Sequence, residues 1–141
     1  MRCSAFEGDV WSMRRHRGRG SSPWLAEVVS ETLPEWSTLS PQEQLRLMDV
    51  AEDLVERVTW EASRGFAVDD YMRGTVTGHA ALLVTGLPDP VYPNISAVVV
   101  HPQTITMQGP RSGHIPGTIE SGPLPVLGHT TAHGPVFIAW D

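Results

Sequence analysis

Cysteine and long apolar stretches are scarce in this sequence. Cys3 is the only cysteine among the 141 residues, so no internal disulfide can form, and the chain suits a reducing compartment. No run of 18 apolar residues occurs, so we expect no transmembrane helix. The stretch from Met1 to Gly20 also lacks the apolar segment of a secretory signal. Together these absences predict a cytoplasmic protein without a membrane partner.

Lysine is absent as well, and all ten basic residues are arginine. Residues 1–22 hold five arginines against two acidic residues, a charge of +3, so the net charge of −6 leaves −9 on residues 23–141. An acidic body repels a phosphate backbone, and we therefore expect no nucleic-acid partner. The amino-acid composition is that of a globular protein. Hydrophobic residues make up 40% of the chain, which is enough for one domain with a modest core.

The arginine-rich start, residues 1–22, is predicted to be a disordered tail because residues 13–22 have little apolar surface to bury. One interpretation is a basic patch for nucleic acid or membrane. The alternatives are a solvated arm, or upstream sequence translated from a misassigned start, with Met13 as the true start. We favour these alternatives because a short basic arm is a weak signal. Residues 23–141 are assigned to one domain.

Apolar residues at helical spacing predict two helices in the first half of this domain. The first follows Pro23, with Ser22 as its cap, and ends before Pro34. The second opens at Ser40 with a capping box, in which the Ser40 side chain and Glu43 satisfy each other's backbone N–H groups. We expect it to continue to about residue 62 and to break at Gly65.

A third helix is predicted from Asp69 to Thr85. Gly74 and Gly78 weaken it by about 1 kcal/mol each relative to alanine, although small residues at these positions also allow close helix packing. Gly86 is predicted to be the C-cap of this helix, with a proline two residues beyond.

The residue composition changes after Pro88, where β-branched residues and turn signals predict strands. We expect a strand at residues 95–100, buried on both faces, a short one at 104–107, a brief pairing at 126–127, and a last one at 135–140. Residues 108–125 are rich in glycine and proline and are predicted to be a loop. Three helices followed by three or four strands indicate an α+β fold with a small mixed or antiparallel sheet.

Metal-like spacing occurs once, in the pair His129 and His133. Two histidines four apart share a metal when they lie on a helix, but flanking glycines favour a loop here, and Thr130 occupies the place of a glutamate base. We therefore expect no metal at this pair. His79 is interpreted as a satisfied helix histidine. No Gly-x-Ser-x-Gly turn and no phosphate-binding glycine loop occurs, so the residues themselves indicate no catalytic, cofactor-binding or metal site.

Four stretches taken together resemble a known family. They are residues 72–87 (Met-Arg-Gly-Thr-Val-Thr-Gly-His-Ala-Ala-Leu-Leu-Val-Thr-Gly-Leu), residues 92–102 (Tyr-Pro-Asn-Ile-Ser-Ala-Val-Val-Val-His-Pro), Leu127-Gly128, and residues 134–140 (Gly-Pro-Val-Phe-Ile-Ala-Trp). In this order and spacing they are similar to the Mlc titration factor A family of zinc-dependent peptidases, also called glucose-regulated metallopeptidases. The resemblance covers roughly residues 23–141.

The resemblance implies a zinc hydrolase that cleaves peptide bonds. In the family the zinc lies on a His-Glu-x-x-His helix with a later glutamate, and the first glutamate acts as general base. That helix follows the strand corresponding to residues 135–140, and this chain ends at Asp141. No position matches a family zinc ligand or catalytic residue, so none is carried over. We expect a truncated, inactive front half, with a fold incomplete without the zinc-binding helices.

Two further expectations rest on the same resemblance. The alternative to a truncated peptidase is a non-catalytic module that binds a protein, for example a transcriptional repressor. In related peptidases the strand before the zinc helix often pairs with the substrate backbone, which would assign that role to residues 135–140. An ordinary core strand is the simpler interpretation of this segment, and we favour it.

Overall fold

The computed structural model describes residues 22–113, 115–130 and 132–140. The predicted tail, residues 1–22, lies outside them except for Ser22. The described elements are helices α1 (Pro23–Thr32), α2 (Pro41–Arg57) and α3 (Asp70–Thr85), a short 3-10 helix (Pro34–Thr38), and strands β1 (Thr59–Ala62), β2 (Ala97–His101), β3 (Ile105–Met107), β4 (Arg111–Ser112), β5 (Ile119–Glu120), β6 (Leu124–Val126), β7 (Gly128–Thr130) and β8 (Val136–Ala139). The expected α+β class is confirmed.

The chain divides into two compact units. The first contains the described residues up to Val55 together with Gly74–Pro90, and it is helical. The second contains Glu56–Arg73 and the described residues from Val91 onward, and it holds every described strand.

Helix α1 begins where the sequence predicts, but its cap differs from the expectation. Pro23 occupies the first turn, whereas the Ser22 side chain makes no capping hydrogen bond. The Ser22 backbone N–H donates instead to the Glu52 carboxylate at 2.8 Å, and the Ser22 carbonyl accepts from Leu25 and Ala26. The position of Ser22 is therefore set by a neighbour 30 residues away.

Helix α2 opens with the predicted capping box. The Ser40 N–H donates to Glu43 Oε2 at 2.8 Å, and the Glu43 N–H donates to Ser40 Oγ at 3.3 Å. The bond from the Ser40 N–H to the Glu43 carboxylate, together with a bond of 2.8 Å from the Ser40 hydroxyl to the same oxygen, lowers the pKa of Glu43 below its ordinary value of 4.5, because both stabilise the charged carboxylate.

The predicted end of this helix, near residue 62, is wrong. Helix α2 ends at Arg57, and Thr59–Ala62 forms strand β1. Arg57 donates from Nη1 to the Ile95 carbonyl at 2.8 Å and from Nη2 to the Tyr92 carbonyl at 3.1 Å. The β-branched and aromatic residues that follow suit a pleated strand, and pairing with β2 supplies their backbone partners.

Helix α3 matches its prediction to within one residue, and its glycines allow close packing. Asp69 Oδ1 accepts from the Met72 N–H at 2.8 Å, which caps the start. A Cβ added to Gly74 would lie 2.6 Å from Val28 Cγ1, and one added to Gly78 would lie 3.1 Å from Val29 Cγ2. The two glycines therefore permit α1 and α3 to approach within the first unit.

Four strands of the second unit form a mixed sheet in the order β1-β2-β8-β7. Strands β1, β2 and β8 run parallel, and β7 runs antiparallel to β8. Val98 and Val100 of β2 are buried, whereas Val99 is half-buried. The predicted burial on both faces is therefore complete on one face and only partial on the other. The predicted sheet of three to four strands is confirmed.

The segment predicted to be a loop, residues 108–125, contains more pairing than expected. Strand β4 pairs with β5, and β6 pairs with β3, both antiparallel. Each ladder is only two or three residues long, so the glycines and prolines limit strand length but do not abolish pairing.

Candidate functional site

The two histidines with metal-like spacing lie on a strand and a turn. His129 is in β7 and His133 is in the turn before β8, and both are exposed. The expected loop is therefore partly wrong, because residues 128–130 pair with β8. The i, i+4 spacing brings two side chains close enough to share a metal in a helix, where they lie one turn apart, but not in an extended strand. Within the described ranges no group of three or more His, Cys, Asp or Glu residues is placed to hold a metal ion.

His79 is a hydrogen-bonded helix histidine, as predicted. Its Nδ1 donates to the Thr75 carbonyl one turn earlier in α3, at 2.9 Å. The side chain is exposed, in contrast to the apolar surroundings that its neighbours in the sequence suggest.

Strand β8 lies inside the sheet and not at its edge. Its residues pair with β2 on one side and with β7 on the other. Both hydrogen-bonding sides of β8 are thus occupied, so the guess that residues 135–140 pair with a substrate is wrong, and the simpler core-strand interpretation holds. The sheet edge on this side is β7, which the sequence did not reveal.

The backbone of β7 at Gly128 faces outward. The Ala139 N–H donates to the Leu127 carbonyl at 2.7 Å, which makes Leu127 and Ala139 a hydrogen-bonded pair. Such pairs alternate along an antiparallel ladder, so the adjacent pair, Gly128 and Ile138, is not hydrogen-bonded. The N–H and C=O groups of Gly128 therefore point away from β8. No strand occupies that side of β7 in the part of the chain that the structure describes.

A second arrangement lies at the carboxyl ends of the parallel strands. His101 ends β2, and Ser63 directly follows β1. Ser63 Oγ lies 2.6 Å from His101 Nδ1, and the imidazole stacks on Phe137 of β8 with the ring centres 5.8 Å apart. Ligands of parallel sheets bind preferentially at this end of the strands.

The Ser63–His101 pair lacks the third member of a hydrolytic triad. In such triads a carboxylate orients the second nitrogen of the histidine. His101 Nε2 is buried and has no hydrogen-bond partner among the described residues. The pair therefore ties the ends of β1 and β2 together, and the Ser63 N–H adds a bond of 3.0 Å to the Val100 carbonyl.

Next to this pair the chain makes a tight turn with two left-handed residues. The Phe66 N–H donates to the Ser63 carbonyl at 3.2 Å, and the central residues Arg64 and Gly65 have φ of 57° and 72°. Positive φ at both central positions marks a type I′ turn, which prefers Asn or Gly at its first central position. Arginine there is conformationally unfavourable.

The turn borders an open cleft of about 350 Å³ lined by Arg64, His101 and the segment 102–106. The sequence contains a weak signal for this site, because Ser63-Arg64-Gly65 directly follows β1 and His101-Pro102 lies at the end of β2. The site is nevertheless not predicted from the sequence, because a helix is predicted where the structure has strand β1.

Comparisons with known proteins identify the family to which this sequence is similar. A family model described as glucose-regulated metallo-peptidase M90 matches residues 10–141. Neither the curated proteins nor the solved structures contain a match to this chain. No helix in the described ranges is long and apolar enough to cross a membrane.

Proposed function

The chain belongs to the glucose-regulated metallo-peptidase family M90, and from this membership we propose that it supplies the peptide-binding strand of a zinc-dependent peptidase. The observation that carries the proposal is the outward-facing edge of β7. Peptides commonly bind proteins by adding a strand to such an edge, with main-chain hydrogen bonds that do not depend on the peptide's sequence. Gly128 offers one N–H donor and one C=O acceptor for this purpose.

The two edges of the sheet differ in their suitability. Every residue of β7 is exposed, and the strand contains no Asp, Glu, Lys or Arg residue. Strand β1, at the other edge, carries Glu61 with an exposed side chain. A charge on an edge strand discourages the addition of another strand. The uncharged edge at β7 is therefore the one that a peptide would extend.

Close packing against β8 holds this edge in place. A Cβ added to Gly128 would lie 3.3 Å from the Phe137 carbonyl oxygen, so glycine permits β7 to lie near β8. The neighbouring bond from the Ala139 N–H to the Leu127 carbonyl fixes the register. Strand β7 is thus positioned before a peptide arrives, which reduces the entropy lost on binding.

Zinc does not fit the residues that the structure describes, since they contain no group of three or more suitable ligands. No step of peptide hydrolysis is therefore assigned to them. In the proposed enzyme the zinc ligands are residues other than those described here. The described residues bind and align the peptide, and this chain by itself is expected to bind peptide without cleaving it.

Backbone-methylated peptides test this role. Titration of the ¹⁵N-labelled chain with an extended apolar peptide should shift the Gly128 amide resonance. The same peptide with an N-methyl group on every residue should leave that resonance unchanged, because neither of its edges can then form a strand-to-strand hydrogen-bond ladder. Equal shifts with both peptides, or none at Gly128 with either, would rule out strand addition at β7. Cleavage of the unmodified peptide during the titration would refute the expected inactivity.

A non-catalytic protein-binding role is the second candidate, and exposed leucines in the first unit favour it. Leu45 and Leu83 expose 69% and 78% of their surface, and Leu87 exposes 50%. Arg46 donates to the Leu87 carbonyl at 2.6 Å, which brings the start of α2 beside the end of α3. Exposed apolar groups suit a protein partner, for example a transcriptional regulator. Loss of that partner in a Leu83→Ser variant, tested by co-purification, would support this role over peptide binding.

A further inference from the structure

The cleft at the carboxyl ends of the parallel strands has a consistent chemical character. Its described lining residues include one guanidinium, the His101 imidazole, the Gln103 amide and the threonines at 104 and 106, and no acidic residue. The whole chain carries a net charge of −6. A cleft lined by donors and a cation, with no acidic side chain, is therefore unusual for this molecule. Its volume of about 350 Å³ is at the small end of ligand sites.

Arg64 is distinguished from the other arginines described in the second unit. Arg57 donates to the Ile95 and Tyr92 carbonyls, Arg111 donates to the Gly122 carbonyl, and Arg73 forms an ion pair with Asp70. Arg64 is exposed, lines the cleft, and has no ion pair or hydrogen bond with the residues that the structure describes. Its guanidinium therefore remains available to a ligand.

The backbone at Arg64 gives an independent reason to look for a ligand. A φ of 57° places arginine in the left-handed region, at a turn position where asparagine or glycine is favoured. Residues in such conformations cluster at ligand-binding sites, where the strain is retained for function. Gly65, with φ of 72°, is the usual choice for the second position and needs no such explanation.

We propose that this cleft binds a small molecule through an oxyanion, a phosphate or a carboxylate group, held by the Arg64 guanidinium. The planar fork of arginine matches both groups with two parallel hydrogen bonds. The amide of Gln103 and the hydroxyl of Thr106 line the same cleft and are further donors. The carboxyl ends of parallel strands are where such ligands bind in other open sheets. The site is separate from the peptide-binding edge at β7, and it does not depend on the proposed function.

Titrations with inorganic phosphate and with acetate test the proposal. Binding to the full chain is followed by the amide resonances of residues 63–66 and 101–106, in a buffer of constant ionic strength. At least one anion should bind saturably at these residues. The anion that binds more tightly identifies the ligand as a phosphate or a carboxylate compound. Absence of saturable shifts with both anions would overturn the proposal.

Two charge variants locate the site. Arg64→Gln should weaken the affinity about tenfold or more, since it removes a charge-assisted pair of hydrogen bonds. Arg111→Gln removes the same charge from a residue outside the cleft, and its affinity should stay within about twofold of the original. Equal weakening by both variants would show that only net charge matters, and would overturn the proposal.

A third variant separates ligand binding from damage to the fold. Arg64→Asn places a residue favoured in type I′ turns at the strained position, so the melting temperature should rise. Anion binding should be lost in the same variant. A variant that is more stable and still binds the anion would show that Arg64 does not hold the ligand.

Discussion

Replacing Gly74 with alanine tests the close approach of α1 and α3 in the first unit. The new Cβ would lie 2.6 Å from Val28 Cγ1 and 2.9 Å from Val28 Cβ. Packed carbon atoms lie about 3.5–4.0 Å apart, so the helices or the side chain must move. Val28 has little freedom to rotate away, because a β-branched residue in a helix strongly prefers one rotamer.

The expected loss of stability combines two opposing effects. Overpacking costs about 1–3 kcal/mol, and a contact this short puts Gly74→Ala near the upper end. Alanine recovers about 1 kcal/mol of helix propensity relative to glycine. The free energy of unfolding should therefore fall by about 2 kcal/mol, which lowers the melting temperature by roughly 6 °C. At Gly78 the contact of 3.1 Å is less severe, so the two effects should nearly cancel.

Urea and thermal unfolding, followed by circular dichroism, give the comparison. Gly122→Ala is the matched control, because a Cβ there has no atom within 4 Å. Adding Val28→Ala to Gly74→Ala should restore part of the stability, since it removes the Cγ1 atom of the closest contact. A Gly74→Ala protein as stable as the original would refute the argument that glycine is needed for this helix contact.

Three other predictions concern the α2 cap, the Arg57 contacts and the β7 edge. The pKa of Glu43 is lowered in the folded chain, so its capping contribution is present above the ordinary value of 4.5 and is lost as the pH falls through the lowered pKa. Glu43→Ala should therefore lower the melting temperature at pH 7, with a difference that shrinks below pH 4.5; a constant difference would contradict the assignment. Arg57→Lys should lower the stability by about 1 kcal/mol and speed exchange of the Ile95 amide in hydrogen-exchange measurements, because an ammonium group does not reproduce the fork that spans two carbonyls. Unchanged exchange would show that the turn holds without these bonds. Gly128→Ala should cost about 1 kcal/mol in chemical denaturation through its contact with the Phe137 carbonyl, and stability equal to that of Gly122→Ala would contradict the close approach.

Local signals in the sequence were sufficient for the three helices and for the starts of α2 and α3, but not for the end of α2. The Ser40–Glu43 box and the start of α3 depend on residues three positions apart, so the sequence contains all the necessary partners. The predicted end of α2 is wrong because residues 58–62 continue an apolar pattern. Their conformation depends on pairing with residues 97–100, which are far away in the chain.

The candidate sites depended on the fold to a greater degree. Gly128 in the sequence is one glycine among 13, and only the ladder with β8 shows that its backbone faces outward. Ser63 and His101 lie 38 residues apart and meet because β1 and β2 run parallel. No spacing in the sequence predicts that these two residues meet. In contrast, His129 and His133 have the i, i+4 spacing of helical metal ligands, but they do not lie on a helix.

The sequence by itself determined the family, the α+β class and the capping box of α2, because each rests on the order of residues or on contacts within one turn. The tertiary structure decided which strand is an edge, which arginine faces a cleft, and which serine meets which histidine. Those properties arise from hydrogen-bond ladders between distant segments, and a ladder is specified jointly by both of its strands.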